Sequence, residues 1–200
     1  MAEITAQAVN EFRKKTGLGL MECKKLLQEA DGDPKKAETL AKERGLKQAE
    51  LRAGRAAKAG RIEVYIHHDA KSGVLVELNC ETDFVARNEE FKQLAKDLAL
   101  HIMAANPAYV KREDVPEEAV AEQKRIFMSQ VADKPVNIQE KIAQGKLDSW
   151  FGESVLLDQK FVKDETKSVR DVILAVNSRT GEHISVARFA RFVVGSAHES

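Results

Sequence analysis

The sequence predicts an α+β fold, in which a three-helix N-terminal bundle precedes a core of small antiparallel sheet packed with helices. Three observations carry the prediction. The first 45 residues have helical spacing punctuated by glycines. At Ile62 the pattern switches to alternation of apolar and polar residues. From Phe91 it reverts to helical spacing until a closing run rich in branched and aromatic residues. The organisation read from this is a docking bundle over 1–45, a basic helical connector over 46–60, and an α+β core over 61–200.

The first helix places Ile4, Val9 and Phe12 on one side and stops before Gly17. The second carries Met21, Leu26 and Leu27 and ends at Asp31-Gly32. Asp33 caps a third that has Pro34 at its favoured first position and Gly45 as its stop. A bundle this small has little core to spare. The stretch that follows is rich in Ala, Lys and Arg, with Glu43 and Glu50 opposing Lys42, Arg44, Lys47, Arg52, Arg55 and Lys58. It reads as an exposed helix broken at Gly54 and Gly60.

Ile62, Val64 and Ile66 alternate with Glu63, Tyr65 and His67, the pattern of a half-buried strand. Asp69 to Gly73 supplies a five-residue turn, and Val74, Val76, Leu78 and Cys80 alternate again, completing a hairpin. Leu94, Ala95, Leu98, Ile102 and Ala105 mark a helix that Asn106-Pro107 ends. Pro116 opens another, with Val120, Phe127 and Val131 as its apolar face, before Lys134-Pro135. Ile138 and Ile142 predict a short helix closed by Gly145, and Val169, Val172, Ile173 and Val176 one more. "HISVARFARFVVG" reads as the returning strand.

Composition narrows the function. The chain is 43% hydrophobic and 32% charged, with 32 basic against 32 acidic residues. Zero net charge argues against a protein that coats nucleic acid or an anionic membrane. No apolar run approaches the roughly 20 residues that span a bilayer. Met1-Ala2-Glu3-Ile4 lacks the basic flank and apolar stretch of a secretion signal. Cys23 and Cys80 are too few for a disulfide framework. Together these readings predict a cytoplasmic protein with reduced thiols.

Catalytic and metal chemistry finds little support. His67 and His68 are neighbours on the expected strand and would face opposite ways, and neither has a zinc-ligand spacing to a cysteine or histidine. Gly17-Leu18-Gly19 precedes a helix that opens with Met21-Glu22, whose acidic charge would repel a phosphate, so the glycines serve a tight turn. No nucleophile elbow or isolated carboxylate pair is present. The expectation is a protein that is not an enzyme and carries neither metal nor cofactor.

"ELNCETDFVARNEEF" (Glu77–Phe91) is the unusual stretch. It sets Asp83 and Phe84 in what reads as an exposed turn between a strand and a helix. Asp83 as a helix cap and Phe84 as a hydrophobic staple are one reading. A projecting aromatic anchor for a partner's pocket is the other. Composition leaves both open.

Four blocks in order resemble the bacterial translation elongation factor Ts family: "TGLGLMECKKLLQEADGD" (Thr16–Asp33), "ELNCETDFVARN" (Glu77–Asn88), "EKIAQGKLDSWFGESVLLDQKFV" (Glu140–Val162) and "FARFVVG" (Phe189–Gly195). The resemblance implies a guanine nucleotide exchange factor for elongation factor Tu, acting in translation elongation. It implies a ubiquitin-associated-like bundle that docks on the GTPase. It also implies that Thr82, Asp83, Phe84 and Val85 dislodge the partner's Mg²⁺. By the same pattern, Thr16, Gly17, Gly19, Leu20, Met21 and Lys24 would contact the partner. The chain has one hairpin and no counterpart of the C-terminal helical module of longer members, so it resembles the short form. Such a half-core should leave apolar sheet surface uncovered, which implies a homodimer in a 2:2 complex. The Tyr-x-His of "YIHHDAKSGVLV" would put His67 of the second protomer on the partner-contacting surface. An adaptor without exchange activity and an RNA-binding accessory factor are the competing readings.

Overall fold

A computed structural model of the protein describes residues 4–52 and 54–196. The opening tripeptide read for a secretion signal, Ala53 of the connector and the last four residues lie outside the described residues, as do the side chains of Ala49 and Glu50. The architecture is α+β. The elements run α1 (Ala6–Thr16), α2 (Leu20–Glu29), α3 (Pro34–Arg52), β1 (Ala59–Ile66), β2 (Ser72–Cys80), α4 (Asp83–Ala86) and α5 (Glu89–Ala105). After these come α6 (Glu117–Ser129), α7 (Val136–Ser154), β3 (Lys160–Phe161), β4 (Asp164–Ser168), α8 (Val169–Thr180) and β5 (Ser185–Val193). A three-stranded sheet has the order β1-β2-β5, so β2 is flanked on both sides. β3 and β4 form a separate antiparallel pair.

Contacts divide the chain into two units. One comprises Met1–Arg61, Leu78–Ala95 and Asp171–Ser185; the other comprises Ile62–Glu77, Lys96–Arg170 and Val186–Ser200. In the first unit, α1 to α3 enclose Val9, Phe12, Leu18, Cys23, Leu26, Leu27, Ala30 and Ala37. Thr5 caps α1 by accepting from the Ala8 N–H at 3.2 Å, and Asp33 caps α3 by accepting from the N–H of Lys35 at 2.8 Å. Contrary to expectation, α3 does not stop at Gly45 but continues to Arg52. A mid-helix glycine costs only about 1 kcal/mol, and α8 passes alongside: a Cβ on Gly45 would lie at ordinary contact distance, 3.4 Å, from the Ser178 hydroxyl. Lys42–Asp171 at 3.2 Å and Arg52 donating to the Asn177 carbonyl at 3.5 Å continue the same contact.

In the second unit, Gly145 likewise fails to end its helix. α7 runs through it because Ala143, Leu147 and Phe151, spaced by four, are buried on one side. The β1–β2 hairpin has the expected five-residue loop, two residues earlier than read, at His67–Lys71. On β1 the apolar residues of the alternation are the exposed ones. Val74 and Val76 of β2 are buried, whereas Ile62, Val64 and Ile66 are exposed and Glu63, Tyr65 and His67 half-buried. Alternation gives a strand its period but not which face will be covered.

His101 on α5 and Gln159 form a buried polar pair in this unit. His101 Nδ1 accepts from the Val162 N–H at 3.2 Å, so Nε2 bears the hydrogen and donates to Gln159 Oε1 at 2.9 Å. Gln159 in turn donates to the Glu153 carbonyl at 2.6 Å. Burial lowers the His101 pKa below its ordinary value. The unfolded chain therefore takes up a proton that the folded state refuses. Stability is complete above the unfolded value of about 6.5 and falls as pH drops through the folded value, by at most about 1.4 kcal/mol per pH unit. Urea unfolding should show a loss as pH falls below about 6.5 that His101→Asn flattens, on top of a lower stability at pH 7.5; an unchanged pH slope in the variant would contradict this.

Candidate functional site

The Glu77–Phe91 stretch folds as a short, tightly held tip. β2 ends at the buried Cys80, whose thiol donates to the Thr82 carbonyl at 3.3 Å. Burial pushes that thiol up to about 11, so it stays protonated and inert at neutral pH. Thr82, not Asp83, is the cap of α4: its hydroxyl oxygen accepts from the Val85 N–H at 3.4 Å. The four-residue helix buries Val85 and Ala86 and turns its other side outward. Asp83, Phe84, Arg87 and Asn88 line a shallow surface concavity. The Phe84 side chain is 80% exposed, so it does not serve as a staple onto α5. An aromatic this exposed leaves its own fold without its hydrophobic contribution. Asn88 begins α5 by accepting from the Glu90 N–H at 2.8 Å.

Residues distant in sequence hold the tip. Glu182, in the turn after α8, accepts on Oε2 from the N–H groups of Glu81 and Thr82, both at 3.1 Å, and on Oε1 from the Thr82 hydroxyl at 2.5 Å. Glu81 reciprocates, accepting from the His183 N–H at 2.7 Å and pairing with Arg55 at 3.4 Å. The His183 hydrogen bond foremost, with Arg55 assisting, holds the Glu81 carboxyl below the usual range. Neither Glu182 nor this role of Glu81 was foreseen, because a Gly-Glu turn one hundred residues away gives no local signal.

The α1–α2 loop is built for exposure. Gly17 caps α1 in the left-handed region (φ 73°) and donates to the Arg13 carbonyl at 2.8 Å. A Cβ there would meet Arg179 Cδ at 2.7 Å, and Arg179 pairs with Glu90 at the start of α5. Thr16 turns inward, its hydroxyl donating to the Phe12 carbonyl at 2.9 Å. Gly19 precedes α2, whose first residues Leu20 and Met21 are 48% and 74% exposed, with Lys24 exposed one turn on. These two apolar side chains therefore lie outside the bundle core. His67 belongs to the other unit. It lies in the hairpin loop rather than on β1, half-buried, with Nδ1 3.2 Å from the Tyr65 hydroxyl and its ring 4.2 Å from that of His68. The two imidazoles thus adjoin instead of facing apart, and among the described residues no group of three or more His, Cys, Asp or Glu is arranged to hold a metal ion.

The comparisons with known proteins agree on one family. The family model described as elongation factor TS matches residues 46–196, a span that includes the whole tip and Glu182. Elongation factor Ts of Thermodesulfovibrio yellowstonii is 51% identical over 197 residues, covering 98% of each chain. That of Thermotoga maritima is 46% identical over 197 residues, covering 98% of this chain and 99% of its own. That of an Anaeromyxobacter species (strain K) is 48% identical over 201 residues, covering 100% of this chain and 92% of its own. These matches extend over the α1–α2 loop as well as the tip, and on them the chain belongs to the elongation factor Ts family of translation elongation factors.

Proposed function

We propose that the chain is a guanine nucleotide exchange factor for elongation factor Tu that speeds GDP release by disturbing the partner's Mg²⁺ and phosphate site. The observation that carries this reading is the outward Phe84 on a four-residue helix held at its N-terminal end by Glu182. A GTPase holds GDP through phosphate contacts and a Mg²⁺ with a near-octahedral shell that tolerates little displacement. Phe84 inserts as a wedge between helices of the partner, and Asp83 beside it fixes the approach or perturbs nearby polar contacts. Thr82 and Val85 hold the wedge in place. The factor carries no ion or cofactor and makes no bond to the nucleotide, so it is not an enzyme in the chemical sense. Purified elongation factor Tu loaded with fluorescent GDP tests the reading. Faster release on adding the protein supports it, and tight binding without acceleration favours an adaptor instead.

The division of labour follows from exposure. Residues 1–45 dock, 46–60 connect, and 61–200 carry exchange and dimerisation. Leu20 and Met21, with Gly17, Gly19, Thr16 and Lys24 shaping their loop, supply affinity. Leu20→Ala with Met21→Ala should raise the half-saturating concentration about tenfold, roughly 1.4 kcal/mol of lost burial, while the maximal release rate holds; a fall in the maximum instead would refute this split.

The exposed side chains of Val64, Ile66, Leu75, Phe192 and Val194 line one apolar concavity. They support a homodimer in a 2:2 complex, with His67 of the second protomer on the partner-contacting surface. Three cations of the basic stretch 42–58 are engaged within the chain: Lys42 with Asp171, Arg44 with Glu29, Arg55 with Glu81. That use disfavours an RNA role, which would need them free for phosphates. The reading places the protein in the cytoplasm, where translation occurs; among the described residues no helix is long and apolar enough to cross a membrane.

A further inference from the structure

We infer that Glu182 is a positioning residue for exchange, holding α4 (Asp83–Ala86) through its Thr82 cap so that Phe84 is presented to the partner in one fixed orientation. The inference rests on the exchange reading above and deepens it.

A helix of four residues cannot sustain itself, because the first turn fixes several dihedrals for a single hydrogen bond. Its order must come from outside. On one side Val85 and Ala86 are buried, which sets its depth. On the other, Phe84 contributes no packing that could set its direction. That leaves the N-terminal end, and there the Glu182 carboxylate meets two successive backbone N–H groups and one hydroxyl. The hydroxyl is the informative partner. Its single hydrogen is committed to Glu182, which turns an oxygen lone pair toward the Val85 N–H, the cap of the helix. Charge-assisted hydrogen bonds of this kind are roughly twice as strong as neutral ones. Glu182 itself is fixed because the next residue, His183, donates its N–H to Glu81. Two carboxylates therefore cross-brace two chain segments, each binding the other's backbone.

The clasp is a device for rigidity rather than contact. A wedge that swings on a loose helix still meets the partner, but it does not transmit displacement. Loss of Glu182 should therefore depress the maximal rate and spare the concentration dependence.

GDP release from elongation factor Tu, followed across factor concentrations, tests this with Glu182→Ala and Glu182→Gln. The alanine variant should lower the maximal stimulated rate at least tenfold with the half-saturating concentration within threefold. Glutamine retains a side-chain carbonyl acceptor for the two N–H groups and should recover the maximum to within threefold of the unmodified protein. Simple destabilisation does the reverse, shrinking the folded fraction and raising the half-saturating concentration while leaving the maximum alone. That pattern, or an unchanged maximum, overturns the inference. Amide hydrogen exchange supplies an arm that needs no partner. In Glu182→Ala the Val85, Ala86 and Arg87 amides should exchange at least tenfold faster, with Leu26 and Leu27 amides of the bundle unchanged; equal protection at the tip overturns the inference. Should the unmodified protein fail to speed GDP release, the exchange reading falls, and the hydrogen-exchange arm alone decides whether the clasp orders the tip.

Discussion

Replacing Phe84 by alanine should lower the maximal rate of GDP release from elongation factor Tu by roughly 30- to 150-fold, with the fold and thermal stability of the factor unchanged. The magnitude comes from burying a phenylalanine ring, worth about 2–3 kcal/mol, converted at about 1.4 kcal/mol per tenfold. The absence of a stability penalty follows from the structure: an 80% exposed ring makes almost no contribution to its own chain. This pairing of a large functional loss with no structural loss separates a wedge from a packing residue. A core phenylalanine such as Phe91, fully buried, would cost about 3–5 kcal/mol of stability on the same change.

The reasoning behind the rate effect is thermodynamic. An exchange factor binds the nucleotide-free partner more tightly than the GDP-bound one, and GDP and the factor then weaken each other by the same ratio. If the room for Phe84 opens only when the magnesium site is disturbed, the ring supplies much of that difference. Phe84→Ala should therefore also make factor binding less sensitive to added GDP. Isothermal titration with and without GDP measures the ratio directly. An unchanged maximal rate at saturating factor would eliminate the wedge, and an unchanged GDP sensitivity would remove its thermodynamic basis.

Phe84 is legible as an anomaly in the sequence alone, since an aromatic beside an aspartate at a turn asks for a reason. Its exposure was not legible, because a staple and an anchor share one sequence pattern. Asp83 and Thr82 are both favoured capping residues, and only the hydrogen bond to the Val85 N–H gives the cap to Thr82 rather than Asp83. The helices run through Gly45 and Gly145 for a common cause: a glycine's local penalty is small beside the packing of Ala143, Leu147 and Phe151, or the contacts of Lys42 with Asp171 and Arg52 with Asn177 along α3. β3 and β4 escape notice since "KF" and "DETKS" have no alternation to detect; within β4, Asp164 accepts from Lys167 and Thr166, which hold its carboxyl down to about 2. Glu182 is the instructive omission. Its partners are two backbone N–H groups and a threonine hydroxyl, and backbone partners write nothing into sequence.

The apolar side of β1 supports the second large prediction, that Val64→Asp with Ile66→Asp converts a dimer into a folded monomer. Both side chains are more than half exposed, at 52% and 61%, so the substitutions disturb little of the chain's own core. If two copies pair through this face, a two-fold axis presents every substitution twice. Four carboxylates then enter one dry interface, each costing several kcal/mol unless it stays in water. Dimer affinity should fall at least a thousandfold. Light scattering at micromolar concentration should read dimer mass for the unmodified protein and monomer mass for the double variant, with identical far-ultraviolet circular dichroism. Val136→Asp, on the exposed start of α7 and outside this concavity, should leave the dimer intact. A monomer before mutation, or a dimer that survives both aspartates, would refute the pairing. The monomeric variant also separates the two halves of the proposed function. If His67 reaches the partner from the second protomer, dimer loss raises the half-saturating concentration for GDP release, while Phe84, presented within one chain, keeps the maximal rate.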